Sequence, residues 1–198
     1  MNEKEIIDNF ERYKKFLLRV SDRREQLEEF LDKWGDRIAT SPGHDRSNRH
    51  AACAGGLVRR SLQTLTNARE LSKLSAFADK EIDTDSVIIT SLLYDIGRFG
   101  DDSGDYYIPQ TSSWHIEKGN LYTYNPNIKR MSHTHRGLYF LQAAGIYLTQ
   151  DEWITILTQP GQHDDVKFYE GFETPLASLL HTAIRMTNMQ DFSGPENN

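Results

Sequence analysis

The sequence predicts an all-α protein, a helical bundle with one small β-hairpin inserted at about residues 105–125. Apolar residues recur at spacings of three and four, which is the period of an amphipathic helix. Residues that cap helix ends stand before most of these apolar stretches. Residues 99–130 lose this spacing and become rich in tyrosine, glycine and proline, which predicts the insertion. At 198 residues the chain is long enough to bury a substantial core.

The first 40 residues are predicted to form amphipathic helices that pack on the bundle. A second apolar face runs from Leu27 to Ile38. An apolar seam of this kind also suits a protein partner, so a homodimer through the N-terminal helices is one expectation. The seam of the first helix has steps of four, three and four residues and consists of Ile6, Phe10, Tyr13 and Leu17.

Residues 41–192 are predicted to form the main domain, followed by a frayed tail over residues 193–198. Thr149 and Glu152 form a capping-box pattern, and Thr174 precedes a proline at the first helical position. Trp114–Ile116 and Leu121–Tyr124 are predicted to pair as strands on either side of a turn at residues 118–120. The predicted helices of this domain begin at Gly55-Gly56, at Asp83 or Thr84, at about residue 133, after Thr149 and after Thr174.

Composition narrows the classes of function. The net charge of −6 argues against a general nucleic-acid-binding surface. The single cysteine, Cys53, cannot form an internal disulfide, which favours a reducing compartment. No apolar run approaches the roughly 18 residues that a membrane span needs, and the charged N-terminal segment lacks an apolar signal core. A cytoplasmic protein without membrane attachment is therefore expected.

Several segments together resemble the motifs of the HD-domain metal-dependent phosphohydrolases, whose helices carry GGLxxHS and LLHDIGK. The resemblance extends from about His50 to Met189 and is closest to the small phage and mobile-element branch of that family. It implies an HD-like bundle, and a host cytoplasm if the chain is phage-encoded. The segments are GGLVRRSL at 55–62, LLYDIGR at 92–98, HTHRGLY at 133–139, TQPG at 158–161 and LHTAI at 180–184.

The family holds divalent metals between its helices, and the metal generates a hydroxide nucleophile from water. Only Asp95 and His133 keep the ligand chemistry in this chain. Arg60 would instead place a permanent cation where the metal sits. Two unit charges about 4 Å apart interact by roughly 4 kcal/mol at an effective dielectric near 20, so an Arg60–Asp95 ion pair is predicted and no metal cofactor is expected. By resemblance, the ligand positions fall on Arg60, Tyr94, Asp95, His133, Gln159 and Ile184.

A polar cavity lined by most of these residues is expected to remain, with His50 and Arg98 at its rim. The residues expected to bind a nucleotide or phosphate are His50, Arg60, Asp95, Arg98 and His133. If a metal is bound after all, His163 could join Asp95 and His133 as a ligand.

Three functions from different classes stay open. The first is a pseudo-enzyme, a catalytically impaired HD-type domain that binds a nucleotide, a phosphate or a protein partner. The second is an active metal-dependent phosphohydrolase acting on nucleotides or phosphodiesters. The third is a structural or assembly protein of phage type in which the old site is vestigial. The fold alone does not decide among them.

Overall fold

The fold, described for residues 1–159 and 173–192 of a computed structural model, is mostly helical with one two-stranded antiparallel sheet. This confirms the predicted all-α class with a small hairpin insertion. The helices are α1 Glu3–Leu17, α2 Arg24–Thr40, α3 Gly56–Leu71, α4 Ser75–Ala78, α5 Thr84–Leu93, α6 Ser113–Glu117, α7 His133–Ala143, α8 Gln150–Leu157 and α9 Pro175–Asp191. The strands are β1 Tyr107–Pro109 and β2 Tyr122–Tyr124, and short 3₁₀ turns occupy Ser21–Arg23 and Ile96–Phe99.

Helix α5 is the centre of the bundle. Its residues from Ser86 to Leu93 are all buried, which is the pattern of a helix surrounded by protein on every side. Of the two caps that the sequence predicted, Asp83 is the one present: its side chain accepts a hydrogen bond from the Ser86 backbone N–H at 2.8 Å. Helices α1, α3, α8 and α9 pack around it.

The N-terminal helices contribute to the core. Tyr13 and Leu17 are buried in the same apolar cluster as α5, and the Tyr13 hydroxyl donates to the Leu92 carbonyl at 3.0 Å. Phe10 packs against that cluster. The seam on α1 therefore faces the chain's own bundle. Ile7, which is 54% exposed, lies off the seam.

Glu152 joins three parts of the bundle. The predicted capping box is present, because the Thr149 side chain accepts from the Glu152 backbone and the Glu152 carboxylate accepts from the Thr149 N–H. The same carboxylate, fully buried, also accepts from Arg23 Nη1 at 2.6 Å and from Ser86 Oγ at 2.8 Å. One side chain thus ties α8 to α5 and to the turn before α2.

The inserted hairpin differs from the predicted one. Strand β1 pairs antiparallel with β2, with Tyr107 opposite Tyr124. The predicted strand Trp114–Ile116 was wrong, because these residues lie in α6. Gly119 has φ of +78° and its N–H bonds the Ile116 carbonyl, so it ends a helix in the left-handed conformation. The hairpin turn predicted at residues 118–120 is therefore the end of α6.

Three arginines of the bundle hold the insertion in place. Arg136 of α7 donates from Nη1 to the Asp101 carboxylate at 2.5 Å and from Nη2 to the Lys129 carbonyl. Arg37 of α2 pairs with Asp105 at 3.2 Å. Arg98 supplies the third contact, through the hydroxyl of Tyr107. The acidic loop at 101–105 is therefore anchored through ion pairs.

Within residues 1–159 and 173–192, no helix is both long enough and apolar enough to cross a bilayer.

Candidate functional site

Asp95 lies at the end of α5 and is almost completely buried. The chain turns there into the 3₁₀ segment Ile96–Phe99, which packs against α7. Gly97 permits this approach, since an added Cβ would collide with the carbonyl oxygen of His133. The turn brings Arg98 back onto the carboxylate, with Arg98 Nε 2.7 Å from Asp95 Oδ1, and His133 Nε2 lies 3.1 Å from the same oxygen.

Arg60 is close to Asp95 but is not its main partner. Arg60 Nη1 lies 4.0 Å from Asp95 Oδ2, at the outer limit of an ion pair. Its short contact is with Asn188, whose Oδ1 accepts from Arg60 Nη2 at 2.7 Å. The predicted Arg60–Asp95 pair is therefore marginal, and Arg98, expected at the rim, holds the carboxylate instead. Arg98 is the nearer because it follows Asp95 by three residues in a tight turn.

The charges at this site reinforce one another. Burial alone would raise the pKa of Asp95, but the charges of Arg98, His133 and, more weakly, Arg60 lower it to about 2. Burial would lower the pKa of Arg98, and the Asp95 carboxylate outweighs that effect and raises it. Burial raises the pKa of Tyr107, which accepts from Arg98, to about 12, so this hydroxyl is neutral at pH 7.

Tyr94 and Ile184, at two positions that the motif resemblance assigns to metal ligands, serve packing. Both are buried and belong to an apolar cluster with Leu138, Ile156 and Leu180. The Tyr94 hydroxyl lies 3.3 Å from the Thr64 hydroxyl, and burial raises the pKa of Tyr94. These two side chains present no metal ligand at pH 7.

Gln159 connects three parts of the bundle through hydrogen bonds of its side-chain amide. Its Nε2 donates to the Tyr94 carbonyl at 2.7 Å and to the Thr134 hydroxyl at 3.1 Å. The amide therefore links the segment after α8 to the end of α5 and to α7.

The predicted histidines lie in different surroundings. His133 is buried at the start of α7, with its ring 6.2 Å from that of Tyr106. His50 is exposed in the loop between α2 and α3. His163 lies outside the described residues.

The described residues do not fit a divalent metal. In residues 1–159 and 173–192, no three His, Cys, Asp or Glu side chains come together as a metal-binding group. Asp95 and His133 are adjacent, but one carboxylate oxygen already accepts from Arg98 and the other faces Arg60. A guanidinium on each side of the carboxylate opposes the approach of a second cation.

The described part of the chain lines at least two cavities near this site. The larger, about 530 Å³, lies under the insertion; its lining residues include Tyr106, Tyr124, Arg130 and Met131. The smaller, about 180 Å³, lies between α3 and α9. It borders Arg60, so it reaches the neighbourhood of Asp95. Its lining residues are His50, Arg59, Arg60, Gln63, Thr187, Gln190 and Asp191.

Sequence reasoning missed the part of the site that α9 supplies. Asp191 Oδ1 accepts from the Ala51 backbone N–H at 2.7 Å and lies 4.0 Å from Arg59 Nη2. Asn188 holds Arg60, as described above. No local signal could have identified either residue, because their roles depend on where the end of α9 meets the start of α3.

No protein-family model matches the sequence, and the chain has no significant match among curated proteins or solved structures.

Proposed function

We propose that this chain is a degenerate HD-type domain that binds a phosphate-bearing ligand, such as a nucleotide, without hydrolysing it. The family assignment depends on the motif resemblance, and two features are compatible with it: the helical class of the fold, and the proximity of Asp95, His133 and Arg60.

One observation carries the proposal, an imbalance of buried charge. The side chains of Arg60 and Arg98 are 9% and 12% exposed. Among the described residues, Asp95 is the one carboxylate within 4.0 Å of either guanidinium. A buried cation without a counter-ion is costly, so an anion is expected to bind there. Arginine suits phosphate well, because its fork of N–H donors matches two phosphate oxygens.

The absence of hydrolysis follows from the same groups. Hydrolysis in the resembled family needs a hydroxide formed on a metal. Here Arg98 donates to the Asp95 carboxylate, which would otherwise bind the metal. Two other ligand positions carry Tyr94 and Ile184, which pack in the core. The side chains that remain can bind and orient a phosphate but do not activate water through a metal.

The test measures thermal unfolding with inorganic phosphate and with AMP, for the natural protein, Arg60→Gln and Arg69→Gln. Arg69 is the matched control, because it lies on the same helix with an exposed side chain. Binding to the folded state stabilises it by RT ln(1 + [L]/Kd), about 2.7 kcal/mol at a hundredfold excess over Kd. A concentration-dependent rise in Tm is expected for the natural protein and the control, and little or none for Arg60→Gln.

Two further measurements separate the other functions. Metal content is determined after expression with added Mn, Fe, Ni and Zn, and phosphate release from p-nitrophenyl phosphate is followed with each metal. Stoichiometric metal with metal-dependent release would overturn the proposal in favour of an active phosphohydrolase. Stable multimers with no response to phosphate or AMP would overturn it in favour of an assembly protein.

A further inference from the structure

Three of the residues that line the cavity between α3 and α9 carry a buried polar atom without a hydrogen-bond partner, and these atoms include both donors and an acceptor. Arg59 Nη2 and Arg60 Nε are donors without an acceptor, and Asp191 Oδ2 is an acceptor without a donor. Arg60 and Asp191 are each 9% exposed. Buried polar atoms in native proteins are nearly always paired with protein, water or ligand, so three unpaired atoms around one cavity need a partner.

The donor or acceptor chemistry of these atoms defines what that partner must offer. The two arginines require acceptor oxygens and carry positive charge, which suits a phosphate group. Asp191 cannot bind a phosphate oxygen in this way, because a carboxylate only accepts hydrogen bonds. It requires a donor such as a hydroxyl group.

We infer that the ligand is a phosphate monoester of a hydroxylated compound, a sugar or polyol phosphate, with the phosphate on Arg59 and Arg60 and a hydroxyl on Asp191. This inference rests on the proposed phosphate binding and specifies the ligand further: Arg60 is common to both, and Arg59 rather than Arg98 lines this cavity. The shared chemistry is that of a free sugar phosphate and of the sugar-phosphate part of a nucleotide.

The size and the edge of the cavity agree with such a ligand. A volume of about 180 Å³ is well above the roughly 10–15 Å³ that one water molecule needs, so the cavity has room for a phosphate with a short hydroxylated carbon chain. Gln63 and Gln190 at the border offer amide groups for further hydroxyls. The unpaired atoms are covered in this conformation. The side chain of His50 at the border is exposed, so its movement gives the ligand a way in.

The decisive measurement compares two esters that differ only in hydroxyl groups, glycerol 3-phosphate and propyl phosphate. Their Kd values for the full chain are determined by calorimetry, together with those of inorganic phosphate, ribose 5-phosphate and AMP. Glycerol 3-phosphate is expected to bind about tenfold more tightly than propyl phosphate, because only its hydroxyl satisfies Asp191. Equal binding of ribose 5-phosphate and AMP would indicate that the sugar phosphate alone is recognised, and tighter binding of AMP would indicate a nucleotide.

Asp191→Asn provides the matched variant. Asparagine keeps an oxygen for the Ala51 N–H and replaces the unpaired carboxylate oxygen with an NH2 group, so the ligand hydroxyl can no longer donate to a charged acceptor. The variant is expected to lose most of the preference for glycerol 3-phosphate, because a neutral hydrogen bond from the amide to the hydroxyl is weaker than one to a carboxylate.

The outcomes distinguish the two proposals. If phosphate and propyl phosphate bind as tightly as glycerol 3-phosphate, this inference is overturned and the proposed function stands. If no phosphate compound binds, the proposed function fails and this inference fails with it. The comparison of esters on the natural protein decides the matter even if Asp191→Asn does not fold.

Discussion

Replacement of Asp95 by asparagine removes the carboxylate between two buried guanidiniums and keeps the side-chain volume. Asp95 Oδ1 accepts from Arg98 at 2.7 Å, and Oδ2 faces Arg60 at 4.0 Å. In Asp95→Asn both cations would lose their counter-ion inside the protein. Loss of one partner of a buried ion pair costs about 3–5 kcal/mol, and we expect a decrease of that size in the free energy of unfolding at pH 7.

The pH dependence of unfolding gives a second value for the free energy that the Asp95 carboxylate contributes. The pKa of Asp95 is about 2 in the folded protein, and that of an unperturbed aspartate is near 3.9. Because the folded-state pKa is lowered, the stabilisation is complete above pH 4 and is lost as the pH falls towards 2. The difference corresponds to roughly 2.5 kcal/mol, which Asp95→Asn should remove from the acid limb of the stability curve.

The assay is urea denaturation at pH values from 7 to 2.5, followed by circular dichroism. Asp102→Asn is the control, because Asp102 is exposed and lies 3.8 Å from Lys33, a weak surface pair. The double variant Asp95→Asn/Arg98→Gln should recover part of the loss, since it removes one orphaned cation. A loss below about 1 kcal/mol, or an acid limb identical to that of the natural protein, would refute this account of the charge network.

Three further predictions concern the scaffold. Glu152→Gln, which leaves Arg23 without its buried carboxylate, should cost about 3–5 kcal/mol in urea denaturation; a loss near zero would contradict the proposed role. Gly97→Ala should destabilise by at least about 2 kcal/mol by calorimetry, because the added Cβ collides with the carbonyl at the start of α7. Arg136→Lys should cost about 1–3 kcal/mol and speed proteolysis within residues 100–130, since lysine cannot bond the Asp101 carboxylate and a carbonyl together in the same geometry. Cleavage elsewhere first would contradict that anchoring role.

Local signals predicted much of the helical fold. The caps at Asp83, Thr149 and Thr174 act over three residues, and each accepts the hydrogen bond that its pattern indicated. The hairpin was predicted only in part, because a glycine near φ +78° can end a helix or turn a hairpin. The strand that pairs with β2 is β1, which begins at Tyr107 near the start of the insertion. Local sequence does not reveal which distant segment supplies a partner strand.

The candidate site was predictable where motif spacing determines it. Asp95, His133 and Arg60 do lie together. The main partner of Asp95 was predicted wrongly. It is Arg98, which a 3₁₀ turn brings onto the carboxylate, whereas Arg60 hydrogen-bonds to Asn188. A difference of about an ångström determines which of the two arginines pairs with Asp95, and sequence patterns do not resolve such distances.

The central position of α5 has a consequence for the order in which the molecule opens. Amide hydrogen exchange in a buried central helix generally requires the largest openings, whereas surface segments exchange through local fluctuations. Asp95 follows closely on this helix, so its surroundings should persist while the insertion opens and closes. Slow exchange from Ile88 to Leu93, unchanged by loosening the insertion, would identify the carboxylate as part of the last cooperative unit to unfold.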